Sequence, residues 1–257
     1  MARIPLPRGL LTRPIAHRGL HDRRAGRIEN SISAIQAAID KAYAVEIDLQ
    51  LSSDWQPVVF HDAGLERLTS ARGRVRDLSA RALSELTLVG GTDRISRLSE
   101  VLDLVAGRTS VLIELKDQTG NLSESDGRLE SATARLLAHY TGEVAVMSFN
   151  PDSIRLMAEL APEIPRGLVT CAFDEGDWEQ LSIARREYLR RITDHDATKS
   201  SFASHDATDL DRPRIAELKA SGCFILCWTI RSPAEEEQAR KIADNITFEG
   251  YLPPCPP

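Results

Sequence analysis

The residues best able to do chemistry gather in the first quarter of the chain, where three short apolar runs end in reactive groups: Ile15-Ala16-His17-Arg18-Gly19, Val45-Glu46-Ile47-Asp48-Leu49 and Val58-Val59-Phe60-His61-Asp62. Side chains alternate along a strand, so Ala44, Glu46 and Asp48 share one face and Val45, Ile47 and Leu49 the other. Two neighbouring carboxylates on an apolar strand repel each other unless a cation or a shared proton compensates. A third carboxylate comes from Val111-Leu112-Ile113-Glu114-Leu115-Lys116, in which Leu112, Glu114 and Lys116 share a face. Three oxygen donors with no cysteine nearby suit a hard divalent cation, Mg²⁺ or Ca²⁺, rather than zinc or copper.

His17 and His61 end the strands before and after the acidic one, so both are expected at the same mouth. With an ordinary pKa near 6.5, one imidazole can accept a proton from a nucleophile while the other donates one to a leaving oxygen. Phosphodiester cleavage needs that division of labour. Arg18 offers a planar fork for two phosphate oxygens, and Lys116 is either a point charge for the same group or a counter-ion to Glu114. Ser148 and Asn150 after the fourth strand, His205-Asp206 after the sixth, and His21 at the entrance are lesser candidates. Trp228 reads as a stacking or rim residue, and His139 and His195 as surface residues.

The elements that position these groups follow a steady rhythm. After a Pro-rich lead, a very short strand over 15–17 and a loop over 18–27 precede a helix capped by Asn30 or Ser31, with Ile32, Ile35, Ile39 and Ala42 as its buried stripe. Strands are expected around Val45, Val111, Val144, Leu168, Phe202, Phe224 and Ile246, with helices over 98–106, 127–140, 151–161, 177–191, 211–220 and 233–243 between the later ones. With Ile15 this makes eight strands in succession, the pattern of a TIM (β/α)₈ barrel, whose active sites lie at the C-terminal ends of the strands. Pro57 to His61 pairs back beside the acidic strand. Residues 63–97 form a small insertion next to the site, too short for a core of its own.

With 257 residues, 42% of them hydrophobic, the chain suits one barrel domain spanning 1–257. Its net charge is -6 and no basic stretch alternates with aromatics, which argues against nucleic acid as a partner. No apolar stretch reaches 18 residues, and Met1 to Pro14 lacks the apolar core of a secretory signal, so a cytoplasmic protein without an integral membrane segment is expected. Cys171, Cys223, Cys227 and Cys255 show neither metal spacing nor a disulfide framework, and Cys223 and Cys227 read as small core residues sharing a strand face.

The ordered set His17-Arg18-Gly19, Glu29-Asn30-Ser31, Glu46-Ile47-Asp48, His61-Asp62 followed by Leu65 and Arg67-Leu68-Thr69, Glu114-Leu115-Lys116 and Trp228-Thr229 resembles the glycerophosphodiester phosphodiesterases over about residues 14–250. The resemblance implies a TIM barrel that hydrolyses small-molecule glycerophosphodiesters to sn-glycerol 3-phosphate and an alcohol. It implies that Glu46, Asp48 and Glu114 hold Mg²⁺ or Ca²⁺, that His17 and His61 are the acid/base pair, and that Arg18 and Lys116 hold phosphate. Glu29 and Asn30 then support the mouth, and beside the resemblance Ser148 and Trp228 are substrate-binding candidates, Trp228 against the glycerol. Four departures stand out: Ile28 where the family usually has Pro, Asp54-Trp55 for Asp-Gly, Ile95-Ser96-Arg97-Leu98 for Ile-Pro-Thr-Leu, and Thr247-Phe248-Glu249 where the last strand typically ends Thr-Asp. A lysophospholipase D or a sugar-phosphodiester hydrolase would use the same site. A barrel that binds phosphodiesters without cleaving them would have no need of both histidines.

Overall fold

In the computed structural model, which describes residues 3–255, the short apolar runs become strands that end where the polar groups begin. The first half contains α1 (Arg8–Thr12), β1 (Ile15–Ala16), α2 (Ile32–Asp40), β2 (Ala44–Leu51), β3 (Pro57–Val59), α3 (Ala80–Leu83), β4 (Ser96–Arg97), α4 (Leu98–Val105) and β5 (Val111–Leu115). Then come α5 (Arg128–Leu137), β6 (Val144–Ser148), α6 (Pro151–Leu160), β7 (Arg166–Thr170), α7 (Ile183–Arg190) and α8 (Asp194–Ala197). The chain ends with β8 (Phe202–Asp206), α9 (Pro213–Ala220), β9 (Phe224–Ile230), α10 (Pro233–Ala239) and β10 (Asn245–Phe248). Strands β1, β2, β5, β6, β7, β8, β9 and β10 pair in parallel, and β1 joins both β2 and β10, which closes an eight-stranded barrel. Residues 1, 2, 256 and 257 of the expected domain span lie outside the described residues.

Strand alternation sorts the core into two layers. Ile15, Ala44, Leu112, Ala145, Met147, Val169, Phe202 and Leu226 fill the barrel, while Val45, Ile47, Leu49, Val111, Ile113, Val146, Ile225 and Cys227 face the surrounding helices. Inside, a small residue makes room for a large one: a Cβ on Gly167 would lie 2.5 Å from the Phe202 ring. The Pro-rich lead is not irregular throughout. Its helix α1 sends Leu10, with Leu6 just before it, into the barrel's N-terminal end, and Asn245 at the start of β10 donates to the carbonyls of Leu10 (2.8 Å) and Arg13 (2.6 Å).

The course of β2 explains where the site falls. Its first two residues pair with β1, which then leaves the sheet through Arg18 (φ 53°) and Gly19 (φ 78°). Only glycine suits the second position, since a Cβ there would lie 2.8 Å from the Ala34 backbone in α2. Further along the same edge of β2, Phe60 N–H donates to the Asp48 carbonyl (3.0 Å) and β3 pairs antiparallel with Leu49 to Leu51. The acidic pair Glu46/Asp48 therefore lies at the hand-over between two chain segments, one ending in His17 and the other in His61.

The insertion shares a small core with neighbouring segments. Leu65, Leu68, Val75, Ala80, Leu83, Leu88 and Ile95 cluster together, and Ile28, Val58 and Phe60 from outside the insertion complete the cluster. Ser31, not Asn30, caps α2 by accepting from Ala34 N–H. The expected helix over 177–191 is shorter, Ile183–Arg190, because Ser182 caps it and turns precede it. Among the described residues no helix is long and apolar enough to cross a membrane.

Candidate active site

At the C-terminal mouth of the barrel, oxygens of Glu46, Asp48 and Glu114 lie within 4.8 Å of one another, and all three residues are buried. The register makes this so, because Asp48 of β2 stands opposite Glu114 of β5. Burial pushes the Glu46 carboxyl well above its ordinary range, and repulsion from Asp48 and Glu114 pushes it further. Burial acts the same way on Asp48, but Lys116, His61 and Arg18, with a hydrogen bond from Asn30, outweigh it and hold that carboxyl low. An all-oxygen donor set in which Glu46 is repelled by both of its neighbours fits a hard divalent cation.

The second layer of the site is a chain of ion pairs. Asn30, buried at φ 60°, donates from Nδ2 to Asp48 Oδ2 (2.8 Å) and accepts from Asp48 N–H (3.1 Å). Arg18 donates its backbone N–H to Glu46 Oε2 (2.8 Å) and Nη1 to Glu29 Oε1 (2.7 Å). Its Nε, 3.3 Å from Asp48 Oδ2, is buried and has no hydrogen-bond partner among the described residues. Lys116 Nζ is 2.7 Å from Glu114 and 3.5 Å from Asp48. Burial disfavours its ammonium, yet these two carboxylates hold its pKa above the usual value.

Each histidine has its own carboxylate. His17 Nδ1 is 2.7 Å from Glu249 Oε2, and His61 Nδ1 is 2.6 Å from Asp62 Oδ1. Burial pushes both acids up, but His17 and His21 around Glu249, and His61 and Arg67 around Asp62, hold them well below the ordinary carboxylate range. Ionised carboxylates only accept, so each Nδ1 carries the proton and Nε2 is left to react. Burial lowers the His17 pKa, and the hydrogen bond to Glu249 offsets part of that. Arg67 reaches over from the insertion with a bidentate grip on Glu29 (2.8 Å each) and contacts to Asp62 at 2.5 and 3.0 Å. It thereby ties the Arg18 side of the mouth to the His61 side.

Among these groups lies a cavity of about 190 Å³. His17, Arg18, Glu46, His61, Glu114 and Lys116 make its polar wall, and Met147, Phe149, Val169 and Trp228 its apolar wall. Trp228 packs edge-on against Phe149 with ring centroids 5.6 Å apart and donates its indole N–H to the Ser204 carbonyl (3.0 Å).

Of the residues expected at the site, His17, His61, Arg18, Lys116, Glu46, Glu114 and Trp228 line this cavity, and Asp48, Glu29 and Asn30 brace it from behind. Ser148 is a correction. Alternation along β6 gives Met147 to the barrel interior and turns Ser148 outward, where its hydroxyl donates to the Leu115 carbonyl (2.7 Å) and accepts from Asn150 N–H (3.0 Å). Asn150 faces Asp117 and Ser123 as the cap of α6. His205 is buried between Thr170 and Asp209, and His195 is buried rather than on the surface. Glu249 and Arg67 were missed as site residues. The alternation Thr247 in, Phe248 out, Glu249 in was the available signal for the first.

Two carboxylate-held histidines beside a carboxylate triad, an arginine and a lysine are groups with which a phosphate ester can be hydrolysed, and they lie at the mouth of the barrel. The chain falls in the class of barrel phosphoric diester hydrolases. Residues 17–245 match the glycerophosphoryl diester phosphodiesterase family, and the chain belongs to that family. Glycerophosphodiester phosphodiesterase 1 of Bos taurus is 42% identical, covering 95% of this chain and 79% of its own length. The glycerophosphodiester phosphodiesterase of Bacillus altitudinis is 30% identical, covering 79% of this chain and 85% of its own. Among solved structures, an Oleispira antarctica phosphodiesterase in complex with the product sn-glycerol-3-phosphate superposes with a TM-score of 0.74 at 22% identity, covering 91% of each chain.

Proposed function

We propose that this enzyme hydrolyses glycerophosphodiesters to sn-glycerol 3-phosphate and an alcohol, with a divalent cation, Mg²⁺ or Ca²⁺, held by Glu46, Asp48 and Glu114. The observation that carries the reading is the pair of carboxylate-held histidines, His17–Glu249 and His61–Asp62, on one cavity with the carboxylate triad. The cation, when bound, neutralises charge that builds on the phosphate oxygens. The Arg18 guanidinium and the Lys116 ammonium, both on the cavity wall, add positive charge toward the same group. One imidazole takes a proton at Nε2 from the nucleophile, water or the substrate's own 2-hydroxyl, and the other gives one to the leaving oxygen. Glu249 and Asp62 keep each ring in the tautomer that leaves Nε2 free for this work.

The cavity volume bears on substrate. About 190 Å³ is below the roughly 300–1,000 Å³ of sites that enclose drug-sized ligands, so it suits the glycerophosphate half and leaves the alcohol toward solvent. Trp228 and Phe149 offer the apolar wall for the glycerol carbons. The four cysteines, all free, suit a reducing, cytoplasmic setting. The test is release of sn-glycerol 3-phosphate from glycerophosphocholine, with EDTA and then with Mg²⁺, Ca²⁺ or Mn²⁺ restored. Metal-dependent release is the expected result, and a folded protein inert with every metal would overturn the assignment of substrate.

A further inference from the structure

The carboxylate triad is not the only group at the mouth that can hold a metal. His17, His21 and Glu249 also each offer a ligand atom within 4.8 Å of the others, and Glu249 Oε2 lies 2.7 Å from His17 Nδ1 and 3.5 Å from His21 Nε2. Two imidazoles and one carboxylate are the donor set of a zinc site, in which bonds of about 2.0–2.2 Å put neighbouring ligand atoms roughly 3–3.5 Å apart. All three side chains are partly open to solvent, so an ion has a way in and room for a water as its fourth ligand. Arg231 holds the other oxygen of Glu249 through Nε at 2.9 Å, which aims Oε2 at the two rings. The positive charge of Arg231 limits affinity, which suits a reversible site rather than a permanent one.

We infer that His17, His21 and Glu249 form an inhibitory site for Zn²⁺ or a similar borderline cation, separate from the oxygen-only triad that takes a hard one. This rests on the acid/base role of His17 proposed above. Metal at Nδ1 requires the lone pair there: in a neutral ring the proton moves from Nδ1 to Nε2, and an imidazolium releases its Nδ1 proton to solvent. Nε2 then has no lone pair with which to accept a proton. As a donor, a neutral metal-bound imidazole is a far weaker acid than an imidazolium. Either way the ring stops turning over while the carboxylate triad is untouched.

The experiment titrates Zn²⁺ into the protein in saturating Mg²⁺, following heat of binding and turnover separately, for wild type, His21→Ala and His21→Gln. Wild type is expected to bind Zn²⁺ and lose activity with it. With inhibition read against each variant's own zinc-free turnover, both variants should need at least about tenfold more Zn²⁺ for half-inhibition, the least that loss of one ligand should cost. Equal Zn²⁺ sensitivity in wild type and both variants would overturn the inference, because Zn²⁺ would then act at the carboxylate triad. Absence of Zn²⁺ binding to the Mg²⁺-loaded protein would overturn it too. Calorimetry needs no turnover, so a Zn²⁺ site that depends on His21 in a protein inert toward glycerophosphodiesters would stand while the substrate reading fell.

Discussion

Replacing Glu249 by glutamine tests how the barrel prepares His17. The carboxylate serves two partners at once: Oε1 accepts from Arg231 Nε at 2.9 Å, and Oε2 faces His17 Nδ1 at 2.7 Å. Glutamine has one oxygen for both. If that oxygen goes to the Arg231 guanidinium, the amide NH₂ faces His17 and demands the lone pair on Nδ1, which puts the proton on Nε2 and idles the ring. Turning the amide around costs the Arg231 contact, about 1 kcal/mol for a side chain as exposed as this one. A neutral amide also forfeits the extra strength of a charged hydrogen bond to the imidazolium, about 1–2 kcal/mol. Together these come to about 2–3 kcal/mol, or a fall in kcat of about 30- to 150-fold. Adding Arg231→Ala frees the amide to turn, so the double variant should regain about fivefold of the loss. The assay is steady-state release of sn-glycerol 3-phosphate at saturating metal against pH. Without the carboxylate the His17 pKa falls further, since Glu249 is what offsets its burial. If His17 is the base, the acidic limb of the kcat profile moves to lower pH; if it is the acid, the alkaline limb does. Turnover within about threefold of wild type, with no limb displaced, would refute the reasoning.

Four further outcomes are expected. His61→Ala should lower turnover by about two to four decades while circular dichroism and metal titration stay unchanged, and near-normal turnover would remove it from the acid/base pair. Glu46→Gln should weaken metal binding in a calorimetric titration, because it takes one of three convergent oxygens from the triad. Arg67→Ala releases Glu29 and Asp62 together, so kcat should drop about tenfold with metal affinity preserved. Gly167→Ala forces a methyl against the Phe202 ring and should cost about 1–3 kcal/mol, read as a Tm lowered by about 2–4 °C per kcal/mol.

The barrel was legible because each of its strands ends an apolar run and helices with clear stripes separate them. The acidic pair was legible for a stricter reason: period-two alternation fixed the face of Glu46 and Asp48, and the same rule fixed Glu114. Applied to Val144-Ala145-Val146-Met147-Ser148, that rule would also have turned Ser148 outward with the valines. Proximity to a strand end carried more weight there than it should have. Glu249 escaped notice because a motif ending in Thr-Asp draws attention to Phe248, which packs on Tyr43 at 4.8 Å in the outer layer. Arg67 stands in the motif after His61-Asp62, but its role shows only once the insertion has folded, since a contact to Glu29 across 38 residues leaves no local trace. Helix α1 is five residues long, starts after Pro7 without a side-chain cap, and gives periodicity nothing to detect.

The seam of the barrel sets when this enzyme can first work. β1 finds its place only against β2 on one side and β10 on the other, and His17 N–H donates to the carbonyl of Phe248, 231 residues later. The partner that readies His17, Glu249, is the next residue along. Glu46, Asp48, His61 and Glu114 all precede residue 115, whereas the carboxylate that faces His17 comes only with the last strand. Under the proposed role of His17, activity requires closure of the ring at β1 and β10, and a chain cut short before β10 should be silent however well its first half folds.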